Sequence, residues 1–297
     1  LYVLEGKELL QNEIDTLLGP GINIHRHPLN GRNFEYFSED PYLTGCFASA
    51  VTRGIKKGGS SATVKHFAGN NQEKARSKVD AVVSERALRE IYLKGFEMAV
   101  KEGEATSIMT SYNPVNGHWA ASNYDLNTTI LRNEWGYQGI VMTDWWAVMN
   151  DCVEGGPADL KNTSFMVRAQ NDLYMVVNND GAEINSLGDN TLEALANGTL
   201  TVGELQRCAM NICRFLLNAP ALAREPKPVH EVRLIQAAQG DLPIASAGVN
   251  VYTLSRSQSA KVLANAETAV VKVQEAGVYT VTAHIRYAAD RKSTRLN

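Results

Sequence analysis

Two rhythms of apolar residues alternate along most of the chain. Short runs such as Ile140-Val-Met-Thr143, which lead into Asp144, have the length and β-branched content of strands buried on both faces. Others follow helical spacing: Leu88, Ile91, Tyr92, Phe96, Ala99 and Val100 share one face behind a capping Ser84, with Glu90–Lys94 and Glu97–Lys101 on the wet side and Gly103 at the end. The same reading predicts a helix over 1–18 through Leu4, Leu9, Leu10, Ile14 and Leu17, stopped by Gly19-Pro20, and then a short strand from Gly21 to His25. Asp40 followed by Pro41 starts a helix that carries Leu43, Phe47, Val51 and Ile55 to Gly58-Gly59. Strands are predicted at Ser61 to Phe67, Thr106 to Tyr112, Ile140 to Asp144 and Asp172 to Val177, with a helix at Tyr124 to Trp135. Thr201 and Glu204 form a capping box for a last helix bearing Leu205, Cys208, Ile212, Phe215 and Leu216.

Strands alternating with helices at this spacing predict an α/β fold of parallel βαβ units. About five units can be counted where a closed barrel has eight, so the expectation is an incomplete (β/α)8 TIM-type barrel over residues 1–218, its first units upstream of Leu1. Pro220, Pro226 and Pro228 mark residues 219–230 as a linker. Beyond it the period becomes two: Tyr279, Val281, Ala283, Ile285 and Tyr287 alternate with polar residues, and Asn250 to Leu254 and Ala269 to Val273 are further candidate strands. Residues 231–290 therefore suggest a partial, antiparallel β-sandwich used as an accessory domain. Residues 291–297 drop the alternation and are set aside as a non-native tail.

Composition narrows the partners. The 297 residues are 44% hydrophobic and 21% charged, which excludes disordered and collagen-like classes. With 29 basic against 32 acidic residues and a net charge of -3, no global field favours nucleic acid or an anionic membrane, and a small neutral substrate is expected. Cys46, Cys152, Cys208 and Cys213 are read as reduced thiols, lacking zinc-site spacing. His25, His27 and His66 make no plausible ligand set, so neither metal nor cofactor is expected. No run is long enough to span a membrane and no signal peptide opens the chain. A bacterial cytoplasmic location is expected over a secreted one, with the true N-terminus missing.

Asp144 stands at the carboxyl end of its strand, where barrel enzymes keep catalytic groups, and two indoles, Trp145 and Trp146, follow as a platform for a sugar face. Arg32, Lys65, His66 and Tyr112 also follow strand-like runs, so a barrel would bring them to the same rim. Arg32 and Lys65 can donate to hydroxyls, His66 can donate one further hydrogen bond, and Tyr112 can bond a hydroxyl or the nucleophile. Plainer readings stand beside these. Asp144 could cap the next helix, Arg32 could pair with Glu35 or Asp40, Lys65-His66 could be surface charge, and Tyr112 could be core. Segment 23–41 is too polar and aromatic for a plain connection, and Asn70-Asn71-Gln72-Glu73 with Arg76 nearby could shape a site's mouth.

Four ordered motifs carry a resemblance: Gly19-Pro-Gly-Ile-Asn-Ile-His-Arg-His-Pro-Leu-Asn-Gly-Arg-Asn-Phe-Glu-Tyr-Phe-Ser-Glu-Asp-Pro41, Lys65-His-Phe-Ala-Gly-Asn-Asn-Gln-Glu73, Met109-Thr-Ser-Tyr-Asn113 and Gly139-Ile-Val-Met-Thr-Asp-Trp145. Together they resemble the barrel motifs of glycoside hydrolase family 3 over roughly Leu1 to Leu217. That resemblance implies a retaining, exo-acting β-glycosidase, most often a β-glucosidase or β-xylosidase. By it Asp144 is the nucleophile, Arg32, Lys65, His66 and Tyr112 hold the sugar, and Trp145 lies beside it. Retention needs a second carboxyl about 5 to 5.5 Å from the first, and nearby Lys65 and Arg32 are expected to lower the Asp144 pKa.

The chain also departs from the family pattern. No segment after Leu217 resembles the α/β sandwich that supplies the acid/base Glu, and the subsite aspartate of an early barrel strand falls upstream of Leu1. Reversed domain order, sandwich first, would account for both. The N-acetylglucosaminidase branch is disfavoured because its Lys-His-Phe-Pro-Gly-His-Gly run is replaced here by Ala68-Gly69-Asn70-Asn71 after Phe67. The reading is therefore a β-glucosidase, with a β-xylosidase or an inactive sugar-binding remnant as alternatives, and with these residues alone expected to be inactive.

Overall fold

The computed structural model describes residues 1–175 and 187–224 and four short strands between residues 250 and 296. Two compact units are present, Leu1–Pro226 and Lys227–Asn297. The first begins with α1 (Tyr2–Gln11), β1 (Thr16–Leu17), α2 (Pro41–Gly58) and β2 (Ser61–Phe67). A helical run follows, made of α3 (Glu85–Ala87), a π-helical stretch (Leu88–Tyr92) and α4 (Lys94–Lys101). Then come β3 (Ser107–Thr110), a hairpin of β4 (Pro114–Val115) and β5 (His118–Trp119), a second π-helical stretch (Asp125–Glu134) and β6 (Ile140–Met142). A hairpin of β7 (Met149–Asp151) and β8 (Gly155–Asp159) leads to α5 (Thr163–Arg168), α6 (Thr191–Asn197), α7 (Val202–Leu217) and α8 (Pro220–Ala223).

Strands β1, β2, β3 and β6 form one parallel sheet in chain order, so each successive unit adds its strand to the same edge. Val64 pairs with Ile108, which pairs with Val141, and Met142 bridges onward to Leu173. These residues are apolar because helices cover the sheet: Val64, Phe67, Ile108 and Val141 share a core with Leu93, Phe96 and Ala99. The rings of Phe67 and Phe96 meet edge to face with centroids 5.1 Å apart.

Local chemistry sets the helix ends. Asp40 Oδ1 accepts from the Leu43 N–H at 2.8 Å with Pro41 in the first turn, and Gly59 closes α2 at φ 100°. The Thr201–Glu204 capping box is formed on α7 as expected.

Several expectations are corrected. The first helix stops at Gln11, and Glu13 takes a left-handed turn (φ 61°). Thr16 and Leu17 then pair with Ser61 and Ala62 as the sheet edge, because an unpaired strand beside them offers backbone partners that outweigh helical spacing. The segment expected as a strand from Gly21 contributes only a bridge to Lys65. Glu90 bonds Arg86 rather than Lys94, whose partner is Glu97; the Glu97–Lys101 pair is present. The strand foreseen over 106–112 shortens to Ser107–Thr110, and that over 172–177 is limited to the Leu173 bridge, with residues 176–177 outside the described residues.

Most of the expected linker, from residue 225, also lies outside the described residues. Its start is not loose: Pro220–Ala223 is helical and Arg224 pairs with Asp15 at 2.6 Å. In the second unit β9 (Asn250–Leu254) and β10 (Ala269–Val273) pair in parallel, not antiparallel as foreseen, whereas β11 (Ala283–Arg286) and β12 (Ser293–Leu296) are antiparallel.

Candidate active site

The carboxyl ends of the parallel strands bring the expected residues together. Lys65 and His66 precede Phe67 at the carboxyl end of β2, Tyr112 follows β3 by two residues, and Asp144 follows β6 by two. Arg32 reaches the same place from the loop before α2, where it opens a single 3-10 turn, Asn33–Glu35. That turn explains the partnership: Arg32 and Glu35 are three residues apart and their side chains bond, while Glu35 Oε2 lies 3.4 Å from Lys65 Nζ. Burial opposes ionisation of Glu35, but its bond to Arg32 and the charge of Lys65 outweigh burial and hold its pKa below the usual carboxylate range.

Asp144 is 5% exposed. Its Oδ1 accepts from the Trp145 backbone N–H at 2.8 Å, and the Tyr112 hydroxyl beside the carboxylate favours its ionised form. Its Oδ2 lies 3.8 Å from His66 Nε2. Burial pushes the Asp144 pKa up, and the Trp145 N–H, the Tyr112 hydroxyl and the charges of Arg76 and Arg32 only partly offset it. This corrects the expectation of a lowered pKa from Lys65 and Arg32. Lys65 is engaged by Glu35, and the second cation acting on Asp144 is Arg76, whose guanidinium sits 4.9 Å from the centre of the Tyr112 ring. His66 is held neutral: burial, then the charges of Arg32, Lys65 and Arg76, push its pKa well below the ordinary histidine value.

The plainer readings are partly met. Arg32 does pair with Glu35, but it also places Nη2 3.2 Å from His66 Nε2. Asp144 does not cap the next helix, whose N-cap is Asn162. The two indoles do not make one flat platform, because their planes are tilted by 49°; Trp145 is half-buried and Trp146 is 48% exposed. Sequence reasoning saw Arg76 only as part of a polar loop, and it missed Asn23 and Tyr36, which both contact His66. The only signal for Asn23 is a polar residue inside an otherwise apolar strand-like segment. A hollow of about 300 Å³ adjoins the cluster, sharing Arg76 with it and lined also by Asn70, Asn113 and Tyr92.

A family model described as the glycosyl hydrolase family 3 N terminal domain matches residues 3–215. The chain belongs to glycoside hydrolase family 3, whose N-terminal domain has the TIM-barrel-like α/β fold with which the parallel sheet agrees. Among curated relatives, a β-glucosidase of Ruminococcus albus is 56% identical over 225 residues, 76% of this chain and 23% of the relative. The structure of a β-glucosidase from Paenibacillus barengoltzii is 92% identical with a TM-score of 0.75, covering 100% of this chain and 33% of that one. β-Glucosidase 3B of Thermotoga neapolitana, solved in complex with glucose, is 42% identical with a TM-score of 0.65, covering 75% of this chain and 30% of that one. The chain thus spans about a quarter to a third of the length of these relatives.

Proposed function

We propose that this chain is the barrel portion of a retaining, exo-acting β-glucosidase that cleaves terminal non-reducing β-D-glucosyl residues. One observation carries the reading: a buried carboxylate at the end of a parallel strand, Asp144, is held by the uncharged Trp145 N–H with the Tyr112 hydroxyl beside it, while Arg32 and Arg76 act on it through space. A carboxylate so placed is oriented for attack without being tied up in an ion pair. Asp144 attacks the anomeric carbon as the bond to the leaving oxygen breaks, a carboxylic acid elsewhere in the full protein protonates that oxygen, and water then cleaves the glycosyl ester with the same acid acting as base. Arg32, Lys65, His66 and Tyr112 bind the sugar hydroxyls, Trp145 flanks the ring, and Arg76 joins this set. The barrel is completed by units outside these residues, and the second unit is an accessory β-domain.

The β-glucosidases among the relatives support glucose over xylose as the sugar. Trapping the full-length protein with a 2-deoxy-2-fluoro β-glucoside and mapping the labelled peptide is expected to mark Asp144. A label on another carboxylate overturns the assignment. A higher kcat/KM for an aryl β-xyloside than for the matching β-glucoside replaces the substrate reading with the xylosidase alternative.

A further inference from the structure

His66 is 2% exposed, and its ring lies between Asn23 and Arg32, whose polarity is determined. On one side Asn23 makes three contacts. Its Nδ2–H donates to the His66 carbonyl at 2.9 Å, its Oδ1 accepts from the His66 backbone N–H at 3.0 Å, and the same Oδ1 stands 3.3 Å from ring Nδ1. A backbone N–H only donates and a carbonyl only accepts, so the backbone of His66 itself sets which end of the Asn23 amide is oxygen. An amide oxygen has no proton to give, so the contact with Asn23 is favourable only when Nδ1 carries one. The Tyr36 hydroxyl, 3.4 Å from Nδ1, lies on the same side and can share that proton as a second acceptor.

The opposite edge of the ring gives the same answer independently. Nε2 faces Arg32 Nη2 at 3.2 Å, and a guanidinium offers donors only, so Nε2 presents its lone pair. The other neutral tautomer would set a lone pair against the Asn23 oxygen and N–H against N–H at Arg32. The imidazolium would add a positive charge beside Arg32, Lys65 and Arg76, in line with the depressed pKa of this histidine.

We propose that Asn23 is a positioning residue that locks His66 as the neutral Nδ1–H tautomer, leaving Nε2 as a hydrogen-bond acceptor that aims the Arg32 guanidinium and faces Asp144 Oδ2 without donating to it. This reverses the donor role that the sequence suggests for His66. A ligand group that meets Nε2 must bring its own proton: a sugar hydroxyl fits, whereas a carboxylate, carbonyl or ether oxygen does not. That last consequence rests on the glycosidase reading; the tautomer does not.

Neutron diffraction from deuterium-exchanged crystals of the full-length protein tests the tautomer without any turnover. Deuterium on Nδ1 and none on Nε2 is expected, and deuterium on Nε2 overturns the proposal. If that pattern is found while the fluoroglucoside fails to label Asp144, the catalytic reading falls and the tautomer stands. The variant Asn23→Asp tests the positioning role, because it keeps an acceptor oxygen for Nδ1–H but adds a charge that favours the imidazolium. The titratable and charged groups around the ring are Arg32, Lys65, Arg76, Tyr36 and Asp144. With thermal unfolding confirming a folded variant, kcat/KM for an aryl β-glucoside is expected to fall about 10-fold at about pH 6 and to recover toward about pH 8 as the imidazolium loses its proton. A folded variant whose deficit is the same at both pH values refutes the positioning role. If the variant does not fold, the neutron map alone decides.

Discussion

Asp144 and Asp172 are two buried carboxylates on adjacent parts of one sheet, and burial raises the pKa of both. Their partners differ. Asp172 is met in contact by a cation, Arg132 Nη2 at 2.7 Å, and also accepts from Asn211 Nδ2 and the Val141 N–H, each at 2.9 Å. It joins the second π-helical stretch, α7 and β6 into one support. Asp144 is bonded by the Trp145 N–H, the nearby Tyr112 hydroxyl favours its charge, and its cations, Arg32 and Arg76, act only through space. Burial and a raised pKa mark both carboxylates alike in direction. On the proposed function, what sets Asp144 apart is that its charge is not already matched in contact.

Asparagine at each position breaks this comparison most directly. In the full-length protein Asp144→Asn is expected to lower kcat on an aryl β-glucoside by about 10⁴-fold or more, since an amide is a poor nucleophile. Thermal stability should hold or rise, because removing a burial-penalised charge orphans no cation in contact. Asp172→Asn should do the reverse, leaving Arg132 buried without its charge partner at a cost of about 3 to 5 kcal/mol in denaturant unfolding. If Asp172→Asn abolished turnover with unfolding unchanged, the division of roles drawn between the two carboxylates would be wrong.

Acidity sharpens the contrast. A raised pKa means that Asp144 gives up its proton only at higher pH, so activity is lost as pH falls through that value. The acid limb of kcat/KM against pH should lie above about 4, the ordinary carboxylate value. Tyr112→Phe removes a donor that favours the ionised form and should move the limb further up; a downward move would show that the hydroxyl does not favour the ionised carboxylate. The smallest effect belongs to a site remote from both carboxylates: Thr201→Ala on α7 should lower stability by about 1 kcal/mol with turnover unchanged.

Much of this was determined by the sequence itself. The alternation of strand and helix, the caps at Asp40 and Thr201, and the gathering of Arg32, Lys65, His66, Tyr112, Asp144 and Trp145 at one end of the sheet were legible. Caps join residues three apart, and parallel βα units place every strand's carboxyl end on the same side, so short-range patterns carry this information. Tertiary structure alone decided that Thr16-Leu17 is a strand, that β9 and β10 run parallel, that Lys65 serves Glu35 while Arg76 acts on Asp144, and that Asn23 sets the polarity of His66. Each depends on a neighbour distant in the chain. Backbone pairing goes to whichever strand is available, and a carboxylate's acidity follows the solvent it loses and the charges brought near it, neither of which is written in local spacing.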